Sequence, residues 1–185
     1  MPRLFTGLEI PSDVAQVLSL LRGGLPGARW IDPDNYHLTL RFIGDIEHGL
    51  ANEVASMLSR VERAPLEIRL EGLSSFGGRK PRAVVASVAP TPALLDLQAE
   101  HERLMQRVGL APEGRKYTPH VTLARLRETS SQQVADYLSA RGSFRSMPFR
   151  VERFVLFSSR ASTGGGPYVV EEAFPLMTPL RVAVR

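Results

Sequence analysis

Two tetrapeptides carry the residue types that acid–base chemistry needs: His37-Leu38-Thr39-Leu40 and His120-Val121-Thr122-Leu123. An imidazole titrates close to neutral pH, so either protonation state is within reach. In a strand, alternate residues share a face. His37 and Thr39 therefore project together, with Leu38 and Leu40 behind them. His120 and Thr122 do the same in front of Val121 and Leu123. Two such units facing one another supply a neutral ring to take a proton and a charged ring to give one. The threonine hydroxyls can hold the non-bridging oxygens of a phosphoryl group and steady added negative charge. Such a set suits attack of water on a cyclic phosphodiester, in line with the departing sugar oxygen, and needs no metal.

A single His-x-Thr in a strand is ordinarily structural. Its repetition in matching places of the chain is what points to chemistry. The other two histidines do not repeat the pattern. His48 opens a helical stretch and His101 lies in Glu100-His101-Glu102-Arg103, so both are expected to face solvent. A metal site would need a third ligand, yet no acidic residue recurs beside both motifs. Asp45 follows the first, whereas Arg127-Glu128 follows the second.

The flanking residues offer further contacts. Arg125 is either a surface residue or a phosphate or ribose clamp. Strand parity turns it away from His120 unless a bulge re-aims it. Arg41 falls on the His37 face by the same parity and could reach the rim of a groove. Phe42, Phe76 and Tyr117 are candidates to stack a terminal base, against the commoner role of aromatics as core. Arg79-Lys80-Pro81-Arg82 is a basic loop, able to track an RNA backbone or simply to be solvated.

The elements that must hold these residues are legible as a repeat. Arg3 to Ile10 alternates as a strand, with Leu4, Thr6 and Leu8 on one side and Phe5, Gly7 and Glu9 on the other. A helix follows from Pro11-Ser12-Asp13, capped by Ser12 or Asp13 and ended by Gly23-Gly24. Trp30 to Asn35 is turn-rich. Tyr36 to Ile43 is a strand, His48 to Arg63 a helix and Leu66 to Leu73 a strand. The order then restarts: strand Arg82 to Val88, a helix from Pro90-Thr91-Pro92 to Gly109, strand His120 to Leu126, helix Ser130 to Ala140, strand Phe149 to Phe157. A last strand, Tyr168 to Leu176, follows the Gly164-Gly165-Gly166-Pro167 turn. The two histidines stand 83 positions apart. An internal duplication of this kind predicts two similar lobes, related by a pseudo-twofold axis, with a cleft between them.

Composition sets outer limits. The chain has 185 residues, 43% hydrophobic and 23% charged, and no cysteine. That excludes thiolate ligands, cysteine nucleophiles and disulfides. No apolar run reaches the roughly 20 residues of a membrane span, and the start lacks the pattern of a secretory signal. The expectation is a cytoplasmic monomer without a cofactor. A net charge of +4 favours anionic partners such as phosphates and nucleic acid. Only Lys80 and Lys116 are lysines among 23 basic residues. Arginine is the better bidentate phosphate clamp, although base composition or heat adaptation explains the same bias.

With these motifs in place the sequence resembles the bacterial and archaeal RNA 2′,3′-cyclic phosphodiesterases, also called 2′-5′ RNA ligases, within the two-histidine phosphoesterases. The resemblance runs through Arg3-Leu4-Phe5-Thr6-Gly7-Leu8-Glu9-Ile10-Pro11, through both motifs (to Gly44, and from Tyr117-Thr118-Pro119 to Arg125), and through Val155-Leu156-Phe157-Ser158-Ser159-Arg160. It implies an α/β (α+β) fold of two pseudo-symmetric lobes, each a mainly antiparallel sheet with helices outside, all within one two-lobed domain over residues 1–185. It also implies opening of RNA 2′,3′-cyclic phosphates to 2′-phosphates and, in some members, reversible 2′-5′ joining. By that resemblance His37 is the proton donor and His120 the acceptor, while Thr39, Thr122 and Arg125 bind phosphate. One departure is plain: where many members carry a tryptophan, this chain reads Ala83-Val84-Val85-Ala86. Two other functions fit the same groove: a non-catalytic nucleotide- or RNA-binding module, and a phosphodiesterase for small cyclic nucleotide phosphates.

Overall fold

The computed structural model describes residues 3–159 and 166–179. Arg160 and Gly164-Gly165, named above, lie outside them. In chain order the elements are β1 (Arg3–Glu9), α1 (Ser12–Ser19), β2 (Ala28–Trp30), a 3-10 turn (Pro33–Asn35), β3 (His37–Asp45), α2 (His48–Leu58), β4 (Leu66–Ile68), β5 (Leu70–Phe76), β6 (Ala83–Val88), α3 (Pro92–Arg107), β7 (His120–Leu126), α4 (Ser131–Arg141), β8 (Phe149–Val151), β9 (Arg153–Ser159) and β10 (Tyr168–Pro175). No described helix is long and apolar enough to cross a membrane.

The strands form one antiparallel sheet in the order β10-β9-β1-β3-β7-β6-β5, with β2 along β7. Its halves meet at the β3–β7 pairing of Leu38 with Val121. A second, two-stranded sheet pairs β4 with β8 through Leu66–Val151, Glu67–Arg150 and Ile68–Phe149. Leu38 with Val121, and Glu67 with Arg150, are each 83 positions apart. Residues that correspond in the repeat thus pair with one another, and the pseudo-twofold axis runs through both pairings.

The lobes are not the two halves of the chain. β5, from the first copy, completes the half-sheet of β6 and β7, and β9, from the second copy, lies beside β1. The continuous strands expected at Leu66 to Leu73 and Phe149 to Phe157 are each broken, at Arg69 and Glu152. The segment before each break pairs across the axis, and the segment after it joins the opposite half-sheet. α3, from the second copy, likewise packs on the half-sheet that holds β1: its His101 lies against Thr6 of β1 and Phe154 of β9.

The core forms behind the motif strands. Leu38, Leu40, Val121 and Leu123 are each at most 2% exposed, and burial of each contributes roughly 1.5–3 kcal/mol. α3 supplies Leu94, Leu97, Leu104 and Met105, one face of a helix at three- and four-residue spacing. The Thr91 hydroxyl caps its first turn. Ser130 and Gln133 form a reciprocal capping box at α4.

Three local expectations are corrected. α1 is capped by Pro11 rather than Ser12 or Asp13, with no side-chain bond, and it stops at Ser19 rather than the glycines. α2 stops at Leu58, five residues before Arg63. His101 is fully buried, not solvent-facing: its Nδ1 meets the Thr6 hydroxyl at 2.9 Å and its ring packs edge-on against Phe154. It sits on the apolar stripe of α3, between Leu97 and Leu104. His48, at the start of α2, is exposed as expected.

Candidate active site

β3 and β7 are neighbours, and Leu38 faces Val121 across them. Directly opposite residues of antiparallel strands point to the same face. Both of these point into the core. Continuing the register one step either way sets His37 opposite Thr122 and Thr39 opposite His120, all on the other face. The two histidines and two threonines of the motifs therefore converge on one volume at the axis.

Each ring is held by the backbone just ahead of it. His37 Nδ1 lies 2.9 Å from the Asn35 carbonyl, and His120 Nδ1 lies 2.7 Å from the Thr118 carbonyl. A carbonyl only accepts, so Nδ1 carries the proton in both rings and Nε2 is left for the groove. His37 Nε2 accepts from the Thr39 hydroxyl at 3.0 Å. Phe5, Phe157 and Tyr168 wall the His37 ring, with centroids 4.9, 5.5 and 4.9 Å away. Phe76 stands edge-on to His120 at 4.7 Å.

Both rings resist protonation in the free protein. Burial lowers His37 from 6.5 to about 4, partly offset by the Asn35 carbonyl and reinforced by the charges of His120 and Arg125. Burial also lowers His120, against the pull of the Thr118 carbonyl, and Arg125 adds to the effect. That His120 and Arg125 act on His37 places all three within electrostatic reach of each other.

A bulge resolves the position of Arg125. Along β7, Ala124 pairs with Val84 and Thr122 with Val85, so Leu123 is the extra residue. Along β3, Arg41 pairs with Thr6 and Thr39 with Gly7, so Leu40 is the extra residue. Leu40 and Leu123 correspond in the repeat. Each bulge reverses parity beyond it, bringing Arg125 onto the His120 face and Phe42 onto the His37 face. Phe42 is half exposed and contacts Phe5.

The same bulge overturns the expectation for Arg41. Its side chain is buried on the helix side, bonded to the Glu102 carboxylate, the Phe42 carbonyl and, at 2.5 Å, the Ala111 carbonyl. It braces α3 and the loop ahead of the second motif, and does not reach the groove. Tyr117 spans the motifs in a similar way: its hydroxyl donates to the Thr39 carbonyl at 2.9 Å.

Phe5, Phe157 and Tyr168 were missed as neighbours of the site. Parity did put Phe5 on the face opposite Leu4, but nothing in the sequence revealed that β1 and β9 would flank β3. Among the described residues no group of three or more His, Asp or Glu side chains is placed to hold a metal ion.

The geometry finds matches among known proteins. The RNA 2′,3′-cyclic phosphodiesterase of Aquifex aeolicus (strain VF5) is 31% identical over 156 residues, 80% of this chain and 81% of that one. A solved structure from Thermus thermophilus has a TM-score of 0.79 at 24% identity, covering 95% of this chain and 98% of that one. E. coli LigT, solved with 3′-AMP, has a TM-score of 0.78 at 22% identity, covering 95% and 99%. At that identity the two structures speak for the fold alone. The profile of the LigT-like phosphoesterases matches twice, over residues 8–86 and 85–168. Each match contains one His-x-Thr motif, and the chain belongs to the LigT-like phosphoesterase family.

Proposed function

We propose that this phosphoesterase opens the 2′,3′-cyclic phosphate at an RNA end to leave a 2′-phosphate. The observation that carries this is the convergence of His37, Thr39, His120 and Thr122 at one axis, with the charge of Arg125 acting on both rings. The name of the Aquifex aeolicus relative points to the same substrate.

In this scheme His120 takes a proton from water as the water oxygen bonds to phosphorus. The bond from phosphorus to the 3′ oxygen breaks, and His37 protonates that oxygen. One water is added in all; with a 5′ hydroxyl in place of that water, His120 takes the hydroxyl proton, the same bond to the 3′ oxygen breaks, and the ends are joined through a 2′-5′ bond. Thr39, Thr122 and Arg125 hold the phosphoryl oxygens. Phe42 and Phe76 offer aromatic faces on the groove side for a terminal base, whereas Tyr117 acts as a strut. No step needs a metal or a cofactor. The working unit is one two-lobed domain, a monomer acting in the cytoplasm.

The test is an RNA oligonucleotide with a 2′,3′-cyclic end, incubated in excess chelator. Opening to the 2′-phosphate is expected. His37→Ala and His120→Ala should each slow it by roughly 10²–10⁴-fold with folding intact. Unchanged turnover in either variant would remove the two-histidine scheme. Binding without turnover of any cyclic phosphate would favour a non-catalytic module.

A further inference from the structure

The two rings differ in what covers them, and one strand makes the difference. β9 and β5 correspond in the repeat, but the sheet continues past β9 to β10, whereas β5 ends it on the other side. β10 begins at Tyr168, whose ring stands edge-on to His37 at 4.9 Å and to Phe5 at 5.2 Å. No described strand lies beyond β5 to do the same for His120.

The start of β10 is docked on a side chain from the turn ahead of the first motif. Asn35 Oδ1 accepts from the Tyr168 amide at 3.3 Å. The same side chain lies against the bare Cα of Gly166, where a methyl group would come within 2.4 Å of Asn35 Nδ2. Asn35 is itself fixed. It closes the 3-10 turn that starts at Pro33, and the Asp32 carboxylate caps that turn at the Asp34 amide. Its main-chain carbonyl is the group that holds His37 Nδ1. One residue thus grips the ring through its backbone and the strand covering the ring through its side chain. Thr118, 83 positions further on, offers His120 the same carbonyl, but it is an exposed residue with no strand docked on it.

We propose that Asn35 is a positioning residue for His37, its side chain docking β10 over the ring while its carbonyl sets the ring's tautomer. Two motifs nearly alike in sequence are thereby made unlike in surroundings. The consequence for rate rests on the proposed reaction; the consequence for the ring does not.

Asn35→Ala keeps the carbonyl and releases β10. In the free variant, NMR of the imidazole carbons should show His37 titrating above its wild-type midpoint of about 4, towards 6.5, because the ring regains water. His120 should keep its own midpoint. The charged and titratable groups about His37 are Glu9 (paired with Arg153), Asp34, Tyr36 and Tyr168 along the recess beside it, and His120 and Arg125 on β7. All remain in the variant, so the shift reports the covering strand. The Tyr168 amide should also exchange faster with solvent, whereas Asn35→Asp keeps an acceptor for it and should retain its protection. On an RNA with a 2′,3′-cyclic end, Asn35→Ala should lower kcat about ten- to a hundredfold with little change in KM, and Asn35→Asp should recover most of the loss. Tyr168→Ala removes the cover, leaves Asn35 in place and should raise His37 likewise, which keeps the proposal testable if Asn35→Ala does not fold. His37 titrating at its wild-type midpoint in either folded variant would overturn the proposal. If the wild-type protein opens no cyclic end, the proposed reaction fails, and the titration still decides for or against Asn35.

Discussion

For His37 to protonate a leaving oxygen it must first hold a proton, and the free protein withholds one. A ring lowered from 6.5 to about 4 is protonated in about one molecule in a thousand at pH 7, and the lowering is worth roughly 3 kcal/mol. A phosphate about 4 Å away returns roughly 4 kcal/mol per charge at the effective dielectric of a partly exposed site. The anion is therefore large enough to reverse the deficit, so binding and protonation of His37 must be coupled. The perturbation is titration with a nucleoside 2′-phosphate, the proposed product. NMR of the imidazole carbons should place His37 near pH 4 in the free protein and near neutrality in the complex. Calorimetry in buffers of different ionisation enthalpy should show close to one proton taken up per ligand near pH 6, and much less in His37→Gln. If His37 stayed neutral in the complex from pH 5 to pH 8, it could not be the acid. The roles of the two histidines would then have to be exchanged.

His101 makes a separate prediction. The unfolded chain binds a proton there near pH 6.5, whereas burial delays binding in the folded chain to about pH 3. Its contribution to stability is thus full above pH 6.5 and declines as the pH falls, by roughly 3 kcal/mol at pH 4. Denaturant unfolding of wild type and of a His101→Leu, Thr6→Val pair should converge or cross as the pH drops; a constant difference would refute this. Tyr117→Phe removes the strut to the Thr39 carbonyl. It should cost about 1 kcal/mol of stability and roughly tenfold in kcat, with a smaller change in KM; equal losses in kcat and KM would count against a positioning role.

The convergence of the two motifs was legible because each is written in local sequence. His-x-Thr needs only strand parity to present both groups together, and β7 (His120–Leu126) has the expected ends. Arg41 and Arg125 show the limit of parity. One extra residue in each strand, Leu40 and Leu123, exchanges the two faces beyond it, and no local signal marks a leucine as bulged. His101 had a usable signal: its spacing from Leu94, Leu97 and Leu104 placed it on the buried stripe, but the charges of Glu100, Glu102 and Arg103 outweighed it. The crossing of β5 and β9 depends on long-range pairing, which periodicity does not encode.

That crossing bears on what a fragment of this chain could do. A polypeptide of half the length, bearing one His-x-Thr, would lack the strand that finishes its own sheet and the second ring of the groove. It could obtain both only from an identical molecule, by trading terminal segments around a twofold. Covalent fusion of two such units frees their sequences to diverge, and the present chain has used that freedom. At corresponding positions just beyond the bulge, one copy offers an aromatic face, Phe42, and the other a cation, Arg125. The groove so acquires two unlike ends, one apolar and one charged.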